Sequence, residues 1–313
     1  MILKKAQILL LGCVLSMNFI TGCGYNSTTS DDSSQNQKVS AAADAQKEDK
    51  KVNPKYDELI DKIKSVTDKD SAQYSIYIDF LDGTQPIEVN SKQIRSASMI
   101  KVFIMAKAYE NMKEGNLSEN QELILKDSDK VGGAGSLIGW PTGSKITIHE
   151  LLKLMITESD NTATNMMIDL LGMDNINRYI QEHGYSESIL QRKMMDTQAV
   201  KNGRENLTSS HDLGRFFTLL YKKKIVSAEY DDKMIDLLKQ QTDTECLPQA
   251  IKEVSIAHKT GELDHLYHDG GIVYNGDYPF VVCILTENQL NRTYTLINMR
   301  RIAKFINQVS KED

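Results

Sequence analysis

Ser98-Met99-Ile100-Lys101-Val102-Phe103-Ile104-Met105-Ala106 is the stretch around which the rest of the chain can be read. Residues three apart share a helix face, so the Lys101 amine is expected to reach the Ser98 hydroxyl. Lys101 is the only charge between Met99 and Ala106, and its neighbours are apolar nearly all round. Such a helix is buried. A buried lysine resists protonation, which makes its amine a base able to activate a hydroxyl nucleophile. The plainer reading, a capping serine followed by a surface lysine, fits poorly with those neighbours.

Two further motifs follow in order. Ser159-Asp160-Asn161 precedes Thr162-Ala163-Thr164-Asn165 and an apolar helix. Ser, Asp and Asn all make good N-caps, so this turn is either a plain cap or a platform projecting Ser159 and Asn161 into a cleft. Lys259-Thr260-Gly261 ends a strand. It reads as an ordinary edge lysine before a turn, or as a cation and hydroxyl that hold a substrate carboxylate. Gly261 would then let a substrate backbone approach closely. Each motif is weak alone, and the ordered set of three is specific.

The chain has 313 residues, 40% of them hydrophobic, enough for a large core. A formal charge of −6 with signs interspersed leaves no basic patch of the kind nucleic acid requires. Lys4 and Lys5 precede an apolar run from Ala6 to Ile20, and Ile20-Thr21-Gly22-Cys23 follows. Residues 1–22 read as a lipoprotein signal peptide with Cys23 the lipidated residue, and the run is short for a membrane span. Residues 23–53, rich in Ser, Asp, Gln, Lys and Ala, read as a flexible tether. Cys283 lies in the apolar run Phe280–Leu285 and is expected to be an inert core thiol.

From residue 54 to 313 the pattern is that of one folded domain. Strands are expected at 74–78, 86–89, 254–262, 271–274 and 278–286, with a hairpin turn at Asn275-Gly276-Asp277. Ser98 to about Tyr221 is mostly helical in period, and Thr293–Val309 closes as a helix. These elements predict an α+β fold in two lobes: a five-stranded antiparallel sheet built from both termini, and an all-helical lobe over about 98–221. The three motifs fall where the lobes meet, which is where clefts form.

Taken together, the motifs resemble the penicillin-recognising serine hydrolases, most closely class A β-lactamases, over roughly Tyr56 to Val309. The resemblance implies the two-lobe β-lactamase-like fold and a β-lactam hydrolase working through an acyl-enzyme on Ser98. Lys101 would help remove the Ser98 proton, and Ser159 would pass a proton to the leaving nitrogen. Asn161 would hold the substrate side-chain amide, and Lys259 with Thr260 its carboxylate. The oxyanion would sit between the backbone N–H groups of Ser98 and Glu262. The chain departs from the family where Met194, in Gln191-Arg192-Lys193-Met194-Met195-Asp196, stands in place of the Ω-loop glutamate. Glu205 is expected to pair with Arg192. Asp196 is the nearest carboxylate able to substitute as water activator, against a role as a loop-capping aspartate. The family usually has a small residue at Glu262, and an arginine is missing between Leu263 and Gly270. His265 or His268 would have to assist there, against ordinary loop polarity.

The expected function is therefore a lipid-anchored serine β-lactamase with weak deacylation. The alternatives are a penicillin-binding D-Ala-D-Ala peptidase and a lipoprotein that binds β-lactams without turnover. No metal or cofactor is expected. The expected partners are a small β-lactam or a peptidoglycan stem peptide, with membrane contact through the lipid alone. The place is the outer face of the cytoplasmic membrane of a bacterium, as a monomer.

Overall fold

A computed structural model describes residues 54–312. The expected signal peptide, Cys23 and the tether lie outside the described residues. The chain opens with helix α1 (Pro54–Thr67), then strands β1 (Gln73–Asp79), β2 (Ile87–Val89) and β3 (Ile94–Arg95). A single 3-10 turn over Ala97–Ile100 runs straight into α2 (Lys101–Lys113). Next come β4 (Glu122–Ile124), β5 (Lys145–Thr147), α3 (Ile148–Thr157), α4 (Asn161–Leu171) and α5 (Met173–Glu182). After a long loop stand α6 (Thr197–Lys201), β6 (Leu207–Thr208), α7 (Ser210–Tyr221), α8 (Ala228–Leu238) and α9 (Leu247–Ala250). Strands β7 (Ser255–Leu263), β8 (Leu266–Tyr274) and β9 (Phe280–Glu287) and helix α10 (Arg292–Val309) complete the chain.

The five expected strands form one antiparallel sheet in the order β2-β1-β9-β8-β7. The first strand and the last are neighbours at its centre, with Tyr74 opposite Thr286 and Ile78 opposite Val282. Alternate side chains of a strand face opposite ways, so this sheet feeds two cores. Tyr74, Ile76, Ile78, Val282 and Ile284 pack with Leu59 and Ile63 of α1 and Met299 and Ile302 of α10. Tyr77, Val281, Cys283 and Leu285 belong to the larger core that contains α2, α3, α4 and α7. Cys283 is buried and free, as expected.

Three features differ in detail from the sequence reading. The helical part extends past Tyr221 through α8, and two short ribbons, β4–β5 and β3–β6, interrupt it. Strand β8 begins at Leu266 rather than Gly271. Its first half carries His268 and Asp269, both fully buried and hydrogen-bonded, which no polar–apolar alternation reveals. The 3-10 turn at Ser98 replaces the first helical turn. It opens on Ala97, whose φ of 45° lies in the left-handed region and turns the chain from the sheet toward the helices.

Candidate active site

Ser98 sits half-buried in the 3-10 turn, on a cleft of about 580 Å³ shared with Gly133, Asn161, Met194, Asp196 and Glu262. Its hydroxyl has no hydrogen-bond partner among the described residues, which leaves Oγ open to the cleft. Strand β7 lies directly behind it. A Cβ built on Gly261 would come within 3.1 Å of the Ser98 backbone nitrogen and of the Ala97 Cβ. Gly261 thus admits the protein's own Ser98 turn, where the sequence reading had it admit a substrate backbone.

Lys101 is fully buried, as its apolar neighbours require, but its amine does not bond Ser98. It donates to the Ser159 carbonyl at 2.6 Å, to Asn161 Oδ1 at 3.0 Å and to Ser159 Oγ at 3.2 Å. The spacing places both side chains on one side of the turn, and the polar Ser159–Asn161 turn supplies three acceptors that outcompete one hydroxyl. Burial pushes the Lys101 amine well below the ordinary lysine range, helped by the charge of Lys259 and opposed by Asp160.

The second motif is held open by Asp160. Its carboxylate caps α4 through Ala163 N–H at 2.8 Å and accepts Leu137 N–H at 2.7 Å. The N-cap reading of this turn is met by Asp160, and of the two platform residues Asn161 lines the cleft. Ser159 has a φ of 56°, which aims its hydroxyl between two lysines: Lys101 Nζ at 3.2 Å and Lys259 Nζ at 3.1 Å. An oxygen that accepts from two amines keeps its own proton free to donate. The Asn161 amide bridges Lys101 and the Gly132 carbonyl, donating to the latter at 3.0 Å. Gly133 has a φ of 94° and leaves no room for a Cβ beside Asn161 Nδ2.

Lys259 is also fully buried and donates to its neighbour's carbonyl, Thr260 O, at 2.9 Å. Burial brings its pKa down to about 7, against the upward pull of Asp243 and Asp269. The Thr260 hydroxyl has no partner among the described residues. Glu262 turns away from the strand to Arg292, the first residue of α10.

The long loop between α5 and α6 is tied at its base. Arg192 pairs with Glu205 Oε1 through Nε at 2.8 Å and Nη2 at 2.7 Å, as the sequence suggested. Asn206 Oδ1 accepts the N–H groups of Gln191 and Arg192. Asn165 of α4, unremarked in the sequence, clamps both backbone groups of Met194 at 2.8 and 3.1 Å. Met194 is buried, and Met195 follows with a φ of 63° and half its surface exposed over Gly133. Asp196 lines the cleft, and its Oδ1 accepts Ala199 N–H at 2.9 Å as the cap of α6.

His268 is not in a loop and does not reach the cleft. It is buried in β8, with Nε2 on the Arg95 carbonyl at 2.8 Å and Nδ1 accepting Thr286 N–H. Burial brings it down to about 4, so it is neutral. His265 lies at the exposed β7–β8 turn against Gln289 O. Arg292 is the cation that the sequence did not point to, because the fold alone brings α10 beside the end of β7.

Known proteins share this fold. The chain is 22% identical over 256 residues to β-lactamase VEB-1 of Pseudomonas aeruginosa, covering 76% of this chain and 85% of that one. A β-lactamase from Sphaerobacter thermophilus superposes with a TM-score of 0.77 at 25% identity, over 82% of this chain and 97% of that one. PBP-A superposes with a TM-score of 0.75, also at 25% identity, over 80% and 95% of the two chains. Residues 58–312 match the sequence model described as the beta-lactamase enzyme family, and the chain belongs to that family as a class A-like serine hydrolase.

Proposed function

We propose that β-lactams acylate Ser98 and that the acyl-enzyme is emptied slowly. The observation that carries the slow step is the loop: buried Met194 stands where the resemblance calls for a glutamate, and Asp196 already caps α6. In acylation, Ser98 Oγ bonds the lactam carbonyl carbon, and its proton is taken up by Lys101 in its deprotonated form, which burial favours and in which the amine keeps only two of its three hydrogen bonds and has a lone pair to accept with. The oxyanion is received by the N–H groups of Ser98 and Glu262. The ring C–N bond then breaks, and Ser159 Oγ delivers a proton to the nitrogen. Asn161 holds the side-chain amide, while protonated Lys259 and Thr260 hold the carboxylate. Deacylation needs a water made nucleophilic, and Asp196, the carboxylate of the cleft lining that follows Met194 in the loop, is the residue we assign to that work.

A second reading, a peptidase acting on D-Ala-D-Ala stems, is favoured by one likeness. PBP-A is known both alone and, as a leucine-to-glutamate variant, as an acyl-enzyme complex with penicillin G. The same Ser98 chemistry would serve a stem peptide, with the terminal D-alanine amine as leaving group.

Nitrocefin turnover with intact mass on the same sample separates the two. Sustained turnover lost in Ser98→Ala supports a β-lactamase, and its further loss in Asp196→Asn assigns the water to Asp196. A single burst leaving an adduct on Ser98 supports the peptidase. Neither burst nor adduct overturns both. The reading also takes residues 1–22 as a signal peptide, Cys23 as lipid-bearing, 23–53 as a tether and 54–313 as a monomeric catalytic domain outside the cytoplasmic membrane. Among the described residues no helix is long and apolar enough to cross a membrane. Cys23→Ala should release the protein from the membrane fraction, and retention there would contradict the lipid anchor.

A further inference from the structure

Glu262 follows Gly261 near the end of the motif strand and is one of the residues lining the cleft. Both of its oxygens are taken by one guanidinium. Arg292 Nε meets Oε1 at 2.6 Å and Nη2 meets Oε2 at 3.1 Å. This is the two-pronged geometry in which arginine binds any carboxylate. Arg292 is held in place from other sides as well, bonded to Glu245 and lying 5.2 Å over the Tyr267 ring. It is a pre-positioned carboxylate receptor whose seat is filled by the protein's own carboxylate.

The two arginines that line the cleft are also committed. Arg95 is bonded to Glu287 at 2.9 Å, and Arg192 to Glu205. Asp196 and Asp264 add further negative charge to the lining. An acyl donor bringing a carboxylate to Thr260 and Lys259 therefore approaches a carboxylate two positions along the same strand. The nearest guanidinium to that carboxylate is already neutralised by it.

We propose that Glu262 is a specificity-determining residue, which occupies Arg292 and so slows acylation by donors that carry a carboxylate beside the scissile bond. The inference rests on Ser98 being the acylated residue. A tethered carboxylate competes at an effective concentration in the millimolar range, so a donor at lower concentration seldom displaces it. The side chains of Glu262 and Arg292 are 48% and 39% exposed, which keeps the effect modest, about fivefold in rate.

The test is the second-order rate of Ser98 acylation, read by intact mass, with benzylpenicillin and with its methyl ester. Glu262→Ala should raise the benzylpenicillin rate about fivefold relative to the ester rate, the ester serving as the control for any change at the Glu262 backbone N–H. Arg292→Ala, which bares Glu262, should lower the benzylpenicillin rate alone. Glu262→Ala/Arg292→Ala should fall below Glu262→Ala, because the freed guanidinium is gone. Added salt should shrink these differences, since the charges are exposed. Equal changes for both donors would mean that Glu262 acts only through strand geometry, and no change would mean that it does not act; either overturns the inference. Absence of any adduct in the unaltered protein would instead overturn the Ser98 reading on which it stands.

Discussion

Lys101 and Lys259 share one hydroxyl, and neither amine can hold a full charge cheaply in that buried place. They titrate as a coupled pair, so the limbs of a pH profile belong to both. A lysine is charged below its pKa. Lys259, at about 7, is charged below that pH, where the proposed mechanism has it hold a substrate carboxylate, and loses the charge above it. Lys101 accepts a proton only when neutral, so its contribution rises with pH through its own depressed pKa. Acylation by benzylpenicillin is expected to lose its carboxylate contact as pH rises through the Lys259 value of about 7, and Lys259→Arg, which stays protonated, to keep it. A flat rate across neutral pH would contradict the assignment. Stability should run the other way. With a folded pKa of about 7 against an unfolded value of about 10.4, the folded state binds fewer protons between them, so stability rises with pH through that window. At this scale the sequence was informative about residue types and order. It could not show that Lys101 would bond the Ser159 turn, nor that Arg292 would meet Glu262, since both contacts join distant segments.

Among the elements, the loop over Gln191–Asn206 is a latch closed by one ion pair and one asparagine. Arg192 is 8% exposed, so deleting Glu205 strands a nearly buried guanidinium. Glu205→Ala is expected to cost about 2–4 kcal/mol in chemical unfolding, less than for a wholly enclosed pair because Glu205 is partly open to water. The loop should then be the first site of proteolytic nicking, which limited proteolysis with mass mapping would detect. Its pairing was legible from Arg192 and Glu205 alone. Strand β8 shows why its first half was not. His268 accepts Thr286 N–H and Asp269 accepts from His258 and Leu247, so these polar side chains are satisfied inside the fold. Hydrophobic alternation registers only whether a residue is apolar, never whether a polar one has found partners. Where the pattern was plain, alternating in β1 and continuously apolar in β9, the strands appear close to where they were expected.

For the molecule as a whole, α10 is a structural requirement. Leu296, Met299, Ile302 and Ile306 are almost entirely buried against the sheet. Each such side chain contributes roughly 1.5–3 kcal/mol on burial, so four approach or exceed the 5–15 kcal/mol that holds a typical domain folded. Ending the chain at Asn291 should abolish the cooperative thermal transition seen by circular dichroism, while Ile297→Ala, on the exposed face, should leave it within about 0.5 kcal/mol. The central pairing of β1 with β9 has a consequence in time. Gln73 must wait for Glu287 before its edge of the sheet exists. At about 5–20 residues per second, the ribosome makes that wait some 10–40 s, during which the strand that will be central has no partner on that side. A polypeptide built this way reaches its last codons before it has a native state to lose, and a chaperone or translocation channel meets it still threadable.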